Sequence, residues 1–385
     1  MDFDVQWLLL GLPIAFAFGW LASRFDVRQW RREQRDSPRA YFKGLNLLLN
    51  EQTDKAIDAF IEAVQQDPDT SDLHFALGNL FRRRGEYERA VRVHQHLLAR
   101  ADLSGDERDR ARHAMAQDYL KAGLIDRAEA AFRDLEGTAY DTEARLALLA
   151  LAERSRDWHG AIELAQRLEK SGTGSYATRI AHYWCELALE AEARGRDDEA
   201  DSALQRAREA APHAARPIVL VGQRLARQGR HRELVELWGE ALAPHPALFN
   251  VVAGEFATSA VAAGAQPAAL QRLLVLYRRA PTASLLGAIN RLDPDPAARR
   301  ERLLSHLAAQ PTLSAALALL EQQAASGAPV GNADAQLLGE AVARAARPLQ
   351  RYRCAACGFE AQQYFWQCPG CLGWDTFPPQ RLEDL

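Results

Sequence analysis

A recurrence restricts this chain more than any other feature of its sequence. Gly44 and Gly78 stand 34 residues apart, and so do Ala56 and Ala90. The stretch from Ala40 to Pro68 reads AYFKGLNLLLNEQTDKAIDAFIEAVQQDP, with small residues at Gly44, Ala56 and Ala63, Phe60 between them and a closing proline. A period of this size is too long for one helix or strand and too short for a domain. It marks a supersecondary unit copied along the chain. Alanine and leucine dominate while Val, Ile and Thr are sparse, so both halves of each copy are expected to be helical. Such a helix pair cannot bury its apolar face alone, and neighbouring copies must stack.

Small residues where two helices meet, an aromatic that fills the gap and a proline that ends the second helix make the tetratricopeptide (TPR) pattern. It returns as Leu77, Gly78, Phe81, Gly85, Tyr87 and Ala90, then as Tyr119, Gly123, Ala128 and Phe132, then around Trp158 and Ala161. Two more copies carry Trp184, Gly195, Ala200 and Pro212, and Gly222, Gly229, Trp238 and Pro246. Longer turns are expected around 101–106, 136–142 and 171–178. From 247 to 347 the helical period persists with turns at Gly264, Pro281, Asp293–Pro296, Pro311 and Gly327–Gly331, while the repeat match weakens. The sequence therefore predicts six good repeats and two or three degenerate ones. In the run RRRGEYER at 82–89 the charges read as a solvated turn. His94 and His96 read as surface or packing residues and Cys185 as a small buried hydrophobe.

Stacked helix pairs offer surfaces for partner segments. No nucleophile elbow, phosphate-binding loop, dinucleotide fingerprint or HExxH motif is present in the chain, so an enzyme is not expected. A formal charge of -4 argues against nucleic acid as the main partner.

Residues 5–22, VQWLLLGLPIAFAFGWLA, are apolar apart from Gln6. Eighteen residues is the short end of a membrane span, and Phe3, Trp7, Trp20 and Phe25 sit where interfacial anchors belong. A cleaved signal peptide needs a basic start, but this one carries Asp2 and Asp4. Arg24, Arg28, Arg31, Arg32, Arg35 and Arg39 follow the run, which places the N-terminus outside and the rest of the chain in the cytoplasm.

Four of the five cysteines lie in CAACGFEAQQYFWQCPGC, residues 354–371. Cys354 and Cys357 form one CxxC pair and Cys368 and Cys371 another. Each CxxC turn brings two sulfurs to one side of a loop, and two facing loops give a tetrahedral four-sulfur site for zinc or a single iron. A module this short depends on its metal for much of its folding energy. Two disulfides or a redox pair are weaker readings in a chain otherwise poor in cysteine.

The order of anchor, arginine-rich stretch, repeats and terminal knuckle pair resembles the lipopolysaccharide assembly protein B family (LapB, also called YciM) of Gram-negative bacteria. The residues that carry the likeness are GLNLLLNEQTDKAIDAF, LGNLFRRRGEYERAVRVHQ, DYLKAGLIDRAE, RIAHYWCELAL and RYRCAACGFEAQQYFWQCPGCLGWDTF. The resemblance implies an all-α TPR solenoid with a transmembrane anchor at 1–23, an arginine-rich linker at 24–38, TPR repeats at 39–246, degenerate repeats at 247–347 and a rubredoxin-like module at 348–385. It implies a single-pass inner-membrane protein with a periplasmic N-terminus that regulates lipopolysaccharide synthesis. The implied partners are the FtsH protease, the LpxC deacetylase that it degrades, a YejM/PbgA-type membrane regulator and lipopolysaccharide export proteins, with a homodimer as a further possibility. Iron held by Cys354, Cys357, Cys368 and Cys371 is implied too, with zinc as the alternative. Other readings are a scaffold gathering synthesis and export complexes, and a rubredoxin-type electron carrier. One departure stands out: Leu372 follows Cys371 where rubredoxin knuckles carry glycine, which puts the second knuckle's amide–sulfur bonds in doubt.

Overall fold

The computed structural model describes residues 15–20, 42–325 and 332–385. Residues 15–20 are helical and exposed. The rest of the expected anchor and the arginine-rich linker lie outside the described residues. Among those described, no helix is long and apolar enough to cross a membrane.

The chain divides after Thr173 into two compact units. Among its described residues the first holds four helix pairs: residues 42–49 (α1) with α2 (Thr53–Gln66), α3 (Ser71–Arg83) with α4 (Tyr87–Leu98), α5 (Gly105–Lys121) with α6 (Ile125–Arg133), and α7 (Asp141–Ser155) with α8 (Trp158–Lys170). The recurrence is set by contact between helices. A Cβ on Gly44 would meet the Phe60 ring at 2.8 Å, and one on Gly78 would meet the His94 ring at 2.5 Å. Only glycine lets the second helix of these two pairs come so close. Hence His94 fills the slot that Phe60 fills one repeat earlier, and it is fully buried. Its Nδ1 lies 2.6 Å from Asp118, whose other oxygen accepts from Arg82 at 2.8 Å. Arg82 is thus drawn inward to join α3, α4 and α5, unlike the rest of its charged run: Arg84 and Arg89 pair with Glu86 at the exposed turn. Ser104 and Glu107 close α5 with a capping box.

The second unit continues with α9 (Ala177–Ala193) and α10 (Asp197–Ala210), α11 (Ala215–Arg227) and α12 (His231–Ala241), α13 (Phe249–Ala262) and α14 (Gln266–Arg279), α15 (Ala283–Leu292) and α16 (Pro296–Ala309), and α17 (Leu313–Ala325) and α18 (Asn332–Ala346). A Cβ on Gly222 would meet the Trp238 indole at 2.0 Å, the same fit as in the first unit. The pairs between α5 and α10 do without that glycine–aromatic fit, and so do those past residue 247, where helix pairs go on. Their core is built from Phe249, Phe256, Leu273, Leu285 and Ile289. Cys185 is fully buried in α9, and burial pushes its thiol up to about 12, so it is an inert core residue.

Candidate metal centre

After α18 the chain makes a two-stranded antiparallel ribbon, β1 (Tyr352–Arg353) and β2 (Glu360–Ala361), with Tyr352 opposite Ala361. The first cysteine pair occupies the turn between these strands. Gly358 N donates to Cys354 O at 2.9 Å, with Gly358 in the left-handed region at φ 77°. The second pair repeats that turn: Leu372 N donates to Cys368 O at 2.8 Å, with Leu372 at φ 59°. Leucine therefore takes up the glycine conformation and the second knuckle keeps its form, with Gly370 N 3.4 Å from the Cys368 sulfur. One amide–sulfur bond of the second knuckle, to Cys368, is thus kept in spite of Leu372.

Together the knuckles bring Cys354, Cys357, Cys368 and Cys371 into one group, with all four sulfurs within 4.8 Å of one another. Cys354 and Cys371 are 3.9 Å apart and Cys357 and Cys368 3.6 Å. These separations far exceed a disulfide bond of about 2.05 Å. They match the edge of about 3.8 Å that a tetrahedron of metal–sulfur bonds of about 2.3 Å requires. The donor set thus fits one zinc or iron ion.

The electrostatics point the same way. Thr376 Oγ1, 3.3 Å from the Cys354 sulfur, together with the amides of Cys357 and Ala356, draws the Cys354 thiol down to about 6. At Cys357 the Phe359 amide favours the thiolate, but desolvation and the neighbouring sulfurs outweigh it and push that thiol up to about 12. One sulfur ionises easily and its neighbour resists, because thiolates this close repel. A bound cation is what lets all four ionise together. Cys354 and Cys368 face the ribbon core of Tyr352 and Phe377, while Cys357 and Cys371 are exposed.

The C-terminal residues tie the ribbon to the helices of its unit. Leu382 N donates to Arg351 O at 2.9 Å, and the Glu383 carboxylate accepts from the Ser314 hydroxyl at 2.6 Å, at the start of α17. Asp384 accepts from Ala283 N at 2.8 Å, at the start of α15. Acidic groups at helix N-termini offset the positive ends of the helix dipoles. Neither the tail nor Thr376 was singled out from the sequence. Glu383 and Asp384 look like any charged terminus until the fold sets them against two helix starts.

Residues 352–379 match a family model described as "Rubredoxin metal binding domain". Over 384 residues the chain is 33% identical to lipopolysaccharide assembly protein B of Escherichia coli (strain K12), covering 98% of each chain. It belongs to the lipopolysaccharide assembly protein B family. The protein of that name from Haemophilus influenzae is 26% identical over 399 residues, covering 97% of this chain and 98% of the relative. Among solved structures, a tetratricopeptide repeat protein from Parabacteroides merdae is similar at 14% identity, with a TM-score of 0.35 over 80% of this chain and 99% of that one. This chain is a run of TPR-like helix pairs ending in a metal-binding ribbon, and its relatives are named for assembly and not for a catalysed reaction.

Proposed function

We propose that this chain is a membrane-anchored, cytoplasm-facing adaptor that lowers lipopolysaccharide synthesis by promoting FtsH-mediated proteolysis of the LpxC deacetylase. The observation that carries this reading is the end-to-end likeness to lipopolysaccharide assembly protein B, which runs through the N-terminal apolar stretch, the repeats and the ribbon alike. The apolar run at 5–22, followed by arginines, supports a single span in the inner membrane that leaves the repeats on the cytoplasmic side. An anchor of this kind raises the local concentration of adaptor beside a membrane protease. The repeats supply binding surface. In the second unit, α10, α11 and α12 line an open cavity of about 400 Å³ with Leu204, Val221 and Leu237 among apolar residues and Glu233, Glu236 and Glu240 among acidic ones. Cys354, Cys357, Cys368 and Cys371 hold one ion, iron by family likeness, which cross-links the ribbon.

The test is the half-life of the deacetylase in cells depleted of the native adaptor and complemented with the full chain or with a chain lacking residues 1–22. The full chain should shorten the half-life and the truncated chain, though folded, should not. A half-life that the full chain leaves unchanged overturns the adaptor reading. Equal shortening by both removes the anchor from it.

A further inference from the structure

Residues 373–376 face two ways. Towards the cysteines, Gly373 O accepts from Cys368 N at 2.9 Å, Thr376 O accepts from Ala355 N at 2.8 Å, and Thr376 Oγ1 lies 3.3 Å from the Cys354 sulfur. Towards the helices, Trp374 stacks on His182 of α9 with ring centroids 4.7 Å apart and planes 16° from parallel. It also meets Tyr183 edge-on at 6.0 Å. The Asp375 carboxylate is 2.8 Å from His182 Nε2, and Arg216 of α11 lies over the Trp374 ring at 5.5 Å while it bonds Glu186. His182 and Arg216 are 2% and 5% exposed, so the helix side of this contact is buried, while the Asp375 carboxylate keeps one side to solvent. Asp375, at φ 54°, joins Leu372 in the left-handed region. Two non-glycine residues so close together hold that backbone only where their surroundings over-determine it. Here the knuckles do so from one side and α9 from the other.

We propose that metal occupancy of the four-cysteine site and docking of residues 373–376 on α9 form one linked equilibrium. In it His182, Arg216, Trp374 and Asp375 act as positioning residues that strengthen metal binding without touching the metal. This rests on the reading that the four cysteines hold an ion. Without the cation nothing joins the four sulfurs across the two knuckles, the knuckles are free to part, and Gly373 and Thr376 lose their amide partners. Trp374 and Asp375 then lose the frame that aims them, and the buried face of α9 is uncovered. Linkage is reciprocal: whatever factor docking contributes to metal affinity, metal contributes to docking. The face that α9 and α11 offer a partner would thereby follow the metal state of the ribbon.

The experiment uses the full chain loaded with zinc as the probe. Metal release to a chromogenic chelator is timed, and hydrogen exchange of residues 177–193 is followed before and after stripping. Removal of metal should speed exchange in 177–193. His182→Ala and Asp375→Asn should start with one zinc per chain, lose it about tenfold faster than the unaltered protein, and show fast exchange in 177–193 before stripping. His182→Gln, which keeps an N–H donor, should recover part of the difference. Asp375 is half-exposed, so its variant tests the linkage even where His182→Ala fails to fold. Unchanged release rates, or exchange in 177–193 that ignores metal, overturn the linkage. A purified chain that takes up no zinc instead overturns the metal reading beneath it.

Discussion

At the scale of single residues, Leu372 shows how a small cost is absorbed by a large one. A non-glycine residue in the left-handed region costs about 1–2 kcal/mol, whereas structural zinc contributes about 10–16 kcal/mol in small metal-folded modules. The ribbon can carry the strain because the metal outweighs it. Leu372→Gly should therefore stabilise the metal-loaded ribbon by about 1 kcal/mol, less what glycine adds to the entropy of the unfolded chain. Gly358→Ala, at φ 77° in the other knuckle, should destabilise it by a similar amount. Denaturant unfolding monitored by ribbon tryptophan fluorescence checks both signs, and a less stable Leu372→Gly protein would contradict the strain argument. The four cysteines were legible because their spacing is a ligand geometry written in sequence. That Leu372 adopts the glycine conformation was not legible, because sequence shows which residue departs from a pattern but not what the fold can compel it to do. His182, Trp374 and Asp375 were illegible for a different reason: their meeting joins positions some 190 residues apart, and no local pattern encodes it.

At the scale of elements, the turn inside the first seven of the described helix pairs repeats one backbone requirement, which the α15–α16 turn drops. A left-handed residue stands at Glu51, Gly85, Gly123, Arg156, Gly195, Gly229 and Gly264. Five of the seven are glycine, which is what made the period visible in sequence. Arg156 meets the requirement at φ 59°, after which Asp157 N bonds back to Ala152 O at 2.9 Å. Arg156→Gly should thus be tolerated or stabilising by up to about 1 kcal/mol, while Gly123→Ala should cost about 1 kcal/mol. Thermal melts of the two variants give opposite shifts if the turn, and not the side chain, sets the preference. The same reasoning explains why the repeats beyond residue 247 were harder to read. Past Gly264 the turn glycine is lost as well, alanine and leucine do much of the packing, and a chain rich in both gives little contrast. Of the two readings the sequence left for His94, packing is the one the fold takes: its ring fills an aromatic's slot against Gly78, and the buried Asp118 beside it supplies the polar partner it needs.

At the scale of the whole molecule, each unit holds a desolvated histidine that bears on its response to acid. His74 and His113 in the first unit and His306 in the second are each held below the usual histidine range, chiefly by desolvation. For His113, Glu143 pulls the other way and Arg82 adds to the depression, while its ring stacks on Tyr140 at 4.6 Å. A depressed folded-state pKa means that the folded protein resists protonation more than the unfolded chain does. The stability these groups contribute is therefore fully present above the ordinary histidine pKa, and it is lost as the pH falls through that value towards the folded one. Acid also releases metal by protonating thiolates, so a global melt would mix two causes. Hydrogen exchange of residues 105–133 separates them, because that segment carries His113 and no cysteine. Its protection should weaken between pH 7.5 and pH 5 in the metal-loaded protein. His113→Phe keeps an aromatic against Tyr140 and has no proton to gain, so it should flatten that dependence. A segment whose protection ignores pH over this range, or a His113→Phe protein that still loses it in full, would place the acid response elsewhere in the chain.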